Sequence, residues 1–166
     1  MDESCDLRWL SFHRPLYNDP SYQLLLNFGR LSYRLLIINF LTLTHMPKIL
    51  VIDDDPDVRM LMNVLMKKQG YEVQTAYNKE DALIKLQNFQ PSVILLDVLL
   101  SGTDGREFCK QIKETEELQA IPVIMISAHP GAAENFAGYG ADDFISKPIN
   151  SENLLKKLDR LLNVPK

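Results

Sequence analysis

Between residues 46 and 166 the chain alternates short runs of β-type residues with segments of helical periodicity, five times over. That alternation restricts the fold more than any other feature. Lys48-Ile49-Leu50-Val51-Ile52, Tyr71-Glu72-Val73-Gln74-Thr75, Ser92-Val93-Ile94-Leu95-Leu96, Pro122-Val123-Ile124-Met125-Ile126 and Phe144-Ile145-Ser146 are the strand candidates. The third and fourth runs are apolar nearly throughout, as strands buried on both faces must be. Parallel strands need crossover connections, and intervening helices supply them. The pattern predicts an α/β protein: a doubly wound, five-stranded parallel sheet with right-handed crossovers.

The helix signals agree with this. Asp55-Pro56 is an N-cap followed by proline at the first helical position. Val58, Leu61, Met62, Leu65 and Met66 follow at helical spacing and end near Gly70. Asn78 is placed to cap a second helix whose buried face would carry Ala82, Leu83 and Leu86. A third helix is expected around Arg106 to Glu114 and a weak fourth around Ala132 to Ala137. Asn150 or Ser151 would cap the last, with its stripe of Leu154, Leu155, Leu158, Leu161 and Leu162.

Residues 1–45 depart from the pattern. Leu24, Phe28, Leu31, Leu35 and Ile38 stand at helical spacing, but apolar residues occur on the other faces too. We treat 1–45 as an N-terminal extension without an assigned role, disordered or helical, and 46–166 as the domain. The start Met1-Asp2-Glu3 is acidic where a secretory signal needs positive charge. The longest apolar stretch, Leu35 to Leu43, is far short of the roughly 20 residues that a spanning helix requires. Cys5 and Cys109 have no metal-ligand spacing and suit free thiols in a reducing cytosol. The net charge of −4 falls entirely within 46–166, since 1–45 hold four Arg and four acids. Such a domain lacks the basic footprint of a nucleic-acid binder.

In a doubly wound sheet the chemistry collects at the carboxyl ends of the strands. Strand one ends in Asp53-Asp54-Asp55, strand three in Asp97, strand four in Ser127-Ala128, and strand five leads into Lys147-Pro148. Clustered carboxylates repel one another, and a cation keeps them ionised. Hard oxygen ligands select Mg²⁺. A carboxylate can act as nucleophile and form an acyl phosphate, with a hydroxyl and an ammonium holding the other phosphoryl oxygens. Asp97, after four apolar residues, would be costly to bury without partners. Asp55 is read as a helix cap, His129 as a loop residue, and Asp142-Asp143 as a solvated acidic pair.

These residues, in this order, resemble the receiver domain of two-component response regulators, in particular the stand-alone, chemotaxis-regulator-like kind. The resemblance runs from Lys48 to about Asn163. It rests on Ile-Asp53-Asp54, Leu-Leu-Asp97-Val-Leu-Leu, Gly105, Ser127-Ala128, Gly140-Ala141-Asp142-Asp143-Phe144 and Lys147-Pro148. It implies a flavodoxin-like (βα)5 fold with strand order 2-1-3-4-5. It implies Asp97 as phosphoacceptor, with Ser127 and Lys147 completing the catalytic set. Mg²⁺ would be held by Asp54 directly, Asp53 largely through water, Asp97, and the backbone carbonyl of Leu99. Ser127 and Phe144 would be the switch residues, and a cis bond is implied before Pro148. The implied partners are a histidine kinase or histidine phosphotransfer protein and a downstream protein target, with neither nucleic acid nor membrane. The location would be cytoplasmic, and the only catalysis that of the chain's own phosphorylation and dephosphorylation. Because the sequence stops at Lys166, output through another protein is expected.

Two positions depart from the family. Ser101 stands four residues after Asp97, where proline is usual, which suggests a looser loop without loss of a reactive atom. The span from Ser127 to Lys147 is shorter than usual and carries Pro130, Gly131, Gly138 and Gly140, which weaken the fourth helix. Two other function classes use related scaffolds. One is a pseudo-receiver that binds partners without phosphorylation, against which the complete set Asp54, Asp97, Ser127 and Lys147 argues. The other is a metal-dependent phosphohydrolase, which needs an acid two residues after the nucleophile, where this chain has Leu99.

Overall fold

The structure, a computed structural model, describes residues 46–129, 131 and 135–162. The helical stripe in 1–45 and the beginning of the expected fourth helix, residues 132–134, lie outside the described residues. The sheet strands are β1 (Lys48–Ile52), β2 (Glu72–Ala76), β3 (Val93–Asp97), β6 (Val123–Ser127) and β7 (Asp143–Ser146). They pair in parallel in the order β2-β1-β3-β6-β7, the expected 2-1-3-4-5 in terms of the five long strands. The numbering gap is a two-stranded hairpin after β3, made of β4 (Leu99–Leu100) and β5 (Thr103–Asp104).

Successive side chains of a strand point to opposite faces, and the strands sort accordingly. Leu50, Ile52, Ile94 and Leu96 pack under α2 (Lys79–Phe89) and α3 (Gly105–Glu114), against Leu86, Phe108 and Ile112. Ile49, Val51, Val93 and Leu95 pack under α1 (Pro56–Lys68) and α4 (Ser151–Leu162), against Met62, Met66, Leu154 and Leu158. Both faces are covered, and for that reason β1 and β3 read as unbroken apolar runs.

The caps are where the sequence places them. Asp55 accepts hydrogen bonds from the amides of Asp57 and Val58, with Pro56 opening α1. Asn78 accepts from the amide of Asp81, and Asn150 from that of Asn153. Leu83, expected on the buried face of its helix, is 41% exposed, and Leu61, one of the apolar residues at helical spacing in α1, is 61% exposed. In α1 the inward positions go to Met62 and Met66, and in α2 to Ala82, Leu86 and Phe89. Past Ser127 the described part of the expected weak helix is one 3-10 turn, Phe136–Tyr139, closed by Gly140 at φ 81°. Its two aromatic side chains rest on the core, and Phe136 stacks on Phe144 with ring centroids 6.1 Å apart.

Candidate functional site

Register alone assembles the site. Ile52 pairs with Leu96, so the next residues on each strand, Asp53 and Asp97, emerge side by side. Asp97 pairs with Ile126, and Ser127 follows at the tip of β6. Ser127 pairs with Ser146, and Lys147 comes next. The Lys147 amide donates to the Ser127 carbonyl at 2.8 Å, which joins the last two tips. The peptide bond between Lys147 and Pro148 is cis, as implied by the resemblance.

Lys147 reaches across this edge. Its Nζ donates to Asp53 Oδ2 at 3.0 Å and to Asp97 Oδ2 at 2.9 Å. The remaining oxygens of those two carboxylates are held by the backbone. Asp53 Oδ1 accepts from the Asp55 amide at 2.9 Å, and Asp97 Oδ1 from the Leu99 amide at 3.4 Å. Arg59 donates to the Asp53 carbonyl at 2.7 Å and ties α1 to the same corner. Asp53, Asp97 and Ser127 are buried, Asp54 is half-buried. One oxygen from each of Asp53, Asp54 and Asp97 lies within 4.8 Å of the others.

The charges here do not balance. Three carboxylates face one ammonium, so the ionised cluster carries an excess of two negative charges. Burial pushes the Asp53 carboxyl above its usual range; hydrogen bonds from the Asp55 amide and Lys147 oppose this without cancelling it, and the charge of Asp97 adds to it. Burial also works against the Lys147 ammonium. The hydrogen bonds to Asp97 and Asp53 outweigh that cost and raise its pKa. Three hard oxygen donors with a deficit of two positive charges fit a divalent cation such as Mg²⁺.

Gly105 has a steric reason to be glycine. A Cβ built on it would lie 2.0 Å from the Asp97 carbonyl oxygen and 3.0 Å from Val98 Cα. Its amide donates to the Val98 carbonyl at 2.8 Å, so α3 begins directly against the backbone that carries Asp97. The other expected site residues lie as follows. Leu99 is in the hairpin, its side chain 64% exposed. The Ser127 hydroxyl accepts from the His129 amide at 3.0 Å. Phe144 is half-buried under Phe136.

One expectation needs correction in part. Of the pair Asp142-Asp143, Asp142 is exposed as expected, but Asp143 is not solvated. Asp143 is 6% exposed and bonded to Lys157 at 2.6 Å and to Arg160. Asp142 accepts from Lys113 and from the Val123 amide, each at 2.8 Å. Ser101, read only as the place of a missing proline, donates its hydroxyl to Asp54 Oδ2 and so adds a contact to the site.

Known structures share this fold. A response regulator from Chloroflexus aurantiacus superposes with a TM-score of 0.69 at 27% identity, covering 72% of this chain and all of that one. The Vibrio cholerae chemotaxis protein CheY4 gives 0.66 at 32% identity, over 71% of this chain and all of that one. The receiver domain of NtrX from Brucella abortus gives 0.65 at 33% identity, over 70% and 99%. These likenesses define a two-component receiver fold. The model of the response regulator receiver domain matches residues 49–159, and the chain belongs to that family. Receiver domains are signalling modules that take a phosphoryl group on an aspartate, bind Mg²⁺ through acidic residues and interact with histidine kinases or phosphotransfer proteins.

Proposed function

We propose that this chain accepts a phosphoryl group on Asp97 from a histidine kinase or histidine phosphotransfer protein, in a Mg²⁺-dependent reaction, and signals through contacts with another protein. The observation that carries this reading is the Lys147 bridge to Asp53 and Asp97 within a three-carboxylate cluster one ammonium cannot neutralise. Asp53, Asp54, Asp97 and the Leu99 carbonyl would hold the cation, which when bound offsets their charge and that of the phosphoryl oxygens. An Asp97 oxygen attacks phosphorus as the bond to the donor imidazole nitrogen breaks, and the imidazole leaves with that electron pair. Lys147, already at 2.9 Å from Asp97, is placed to pair with a phosphoryl oxygen. Ser127 would turn toward the same group, and Phe144 would follow into the space so released.

The reading places residues 46–166 as the receiver domain and the protein in the cytoplasm. Among the described residues no helix is long and apolar enough to cross a membrane. Cys109 is a free, buried thiol whose pKa burial pushes up to about 11, so it is not a reactive group of the site. The test is incubation with acetyl phosphate and Mg²⁺, followed by intact mass. One phosphoryl group, labile to hydroxylamine as an acyl phosphate must be, is expected. No adduct, or an adduct stable to hydroxylamine, refutes the proposal.

A further inference from the structure

The three carboxylates of the site are held in different ways, and the difference singles out Ser101. Asp53 is held through both oxygens, by the Asp55 amide and Lys147. Asp97 is held through both, by the Leu99 amide and Lys147. Lys147 does not reach Asp54. Among the described residues the group hydrogen-bonded to the Asp54 carboxylate is the Ser101 hydroxyl, which donates to Oδ2. Asp54 is half-buried and shares a 4.8 Å cluster with two other carboxylates, so repulsion favours its swinging out toward water.

The hairpin is built to hold that hydroxyl in place. Leu99 pairs with Asp104 and Leu100 with Thr103, which leaves Ser101-Gly102 as a two-residue turn. Gly102 takes φ 77°, a left-handed conformation in which a side chain would be strained. At the base, Asp104 caps α3 through the Arg106 amide at 2.9 Å and is clamped by the Arg106 guanidinium at 3.0 and 2.7 Å. The Gly105 amide closes the same base on the Val98 carbonyl. The tip of a short, anchored hairpin therefore presents a donor to Asp54, and leaves its second oxygen free.

We propose that Ser101 is a positioning residue for the metal site: its hydroxyl fixes the Asp54 carboxylate toward Asp53 and Asp97 and so sets the affinity for Mg²⁺. The inference rests on the reading of Asp54 as a Mg²⁺ ligand given above. Ligating carboxylates are commonly oriented by a hydrogen bond to their other oxygen, and loss of such a partner costs about 10–100-fold in affinity. Ser101 is exposed, and water can partly replace it. The low end applies.

The test is calorimetric titration of the full chain with MgCl₂ at fixed ionic strength. Four proteins are compared: native, Asp54→Ala, Ser101→Ala and Ser101→Thr. Native binding, its loss in Asp54→Ala, a rise in Kd of about tenfold in Ser101→Ala, and recovery of most of that loss in Ser101→Thr support the proposal. Recovery by threonine separates a hydroxyl effect from general loosening of the hairpin. Native affinity in Ser101→Ala, with binding lost in Asp54→Ala, overturns the role of Ser101 and leaves the metal site standing. Native affinity in Asp54→Ala, or no binding by the native chain, overturns the metal reading and Ser101 with it.

Discussion

Two acidic clusters lie at opposite ends of the same parallel sheet. At the carboxyl end, Asp53 and Asp97 share Lys147, and Asp54 lies beside them without an ammonium of its own. At the amino end of β7, Asp142 and Asp143 meet Lys113, Lys157 and Arg160, and the Val123 and Phe144 amides as well. Asp97 and Asp143 are equally buried, each 6% exposed. Burial of an acid is thus no guide to its role here; the balance of charge around it is. The amino-end pair is over-compensated and serves to pin α4 and α3 to the sheet. The carboxyl-end cluster lacks two positive charges, a deficit that a purely structural cluster would gain nothing by keeping.

The sharpest way to break this contrast is to neutralise one acid at each end. Asp97→Asn should abolish phosphorylation by acetyl phosphate completely, because the attacking carboxylate is gone, while the fold persists. Labelling at the native level in that variant would remove Asp97 as acceptor. Asp143→Asn should do the reverse and phosphorylate normally. It should lose about 1–2 kcal/mol in urea unfolding, since Lys157 and Arg160 lose a charged partner but still reach water. A phosphorylation defect as large as that of Asp97→Asn would end the division of labour.

Gly105→Ala probes the joint between scaffold and site. The atoms that the new Cβ meets are backbone, Asp97 O at 2.0 Å and Val98 Cα at 3.0 Å, and neither can move without displacing Asp97. A loss of about 3 kcal/mol is expected, near the top of the overpacking range, together with slower phosphorylation. Gly140→Ala is the counterpart, since its Cβ would meet Lys113 Cγ at 2.9 Å, the side of a flexible chain. Its φ of 81° still carries a cost, but phosphorylation should remain native. Native phosphorylation in Gly105→Ala would show that α3 is not seated against the Asp97 backbone as described.

Most of the carboxyl-end site is legible in the sequence. A parallel sheet brings strand ends together whatever the helices do. The alternation of elements therefore suffices to gather Asp53, Asp54, Asp97, Ser127 and Lys147. What is not legible depends on partners far along the chain. Asp143 is neutralised from 14 and 17 residues away and Asp142 from 29, so a local pattern shows neither their ion pairs nor the burial of Asp143. Ser101 finds Asp54 across 47 residues, and in the sequence it registers only as a missing proline. Leu61 and Leu83 face outward for another reason. Each is adjacent to a residue with a better inward angle, Met62 and Ala82, and helical periodicity alone leaves the phase open by one residue.

Mg²⁺ itself offers a smaller effect. A ligand that binds only the folded chain stabilises it by mass action, about 2.7 kcal/mol at a hundredfold excess over Kd. The native chain should melt higher in MgCl₂ than in chelator, and Asp143→Asn should show the same increment. Asp54→Ala should show none. Equal increments in all three would mean that Mg²⁺ acts elsewhere than on the carboxyl-end cluster.

The finest distinction is one of sign and lies in the pH dependence of the metal-free chain. Burial raises the pKa of Asp53, so the folded state holds its proton more tightly than the unfolded state does. Its contribution to stability is complete below the ordinary carboxylate value of about 4 and is lost as pH rises through the raised folded value. Asp104 is the opposite case, because the Arg106 hydrogen bond lowers its pKa. Its contribution is present above about pH 4 and is lost as pH falls through the lowered value. In chelator, Asp53→Asn should therefore gain on the native chain as pH rises from about 4 toward neutrality, whereas Asp104→Asn should fall behind it as pH rises up to about 4 and keep a constant deficit above that. Saturating Mg²⁺ should reverse the first trend, since a bound cation favours the ionised carboxylate, and leave the second unchanged. Urea unfolding across the acid range with and without Mg²⁺ measures both. If Asp53→Asn loses ground with rising pH in chelator, the buried carboxylate is already satisfied by Lys147 and the Asp55 amide, and the cluster needs no further cation.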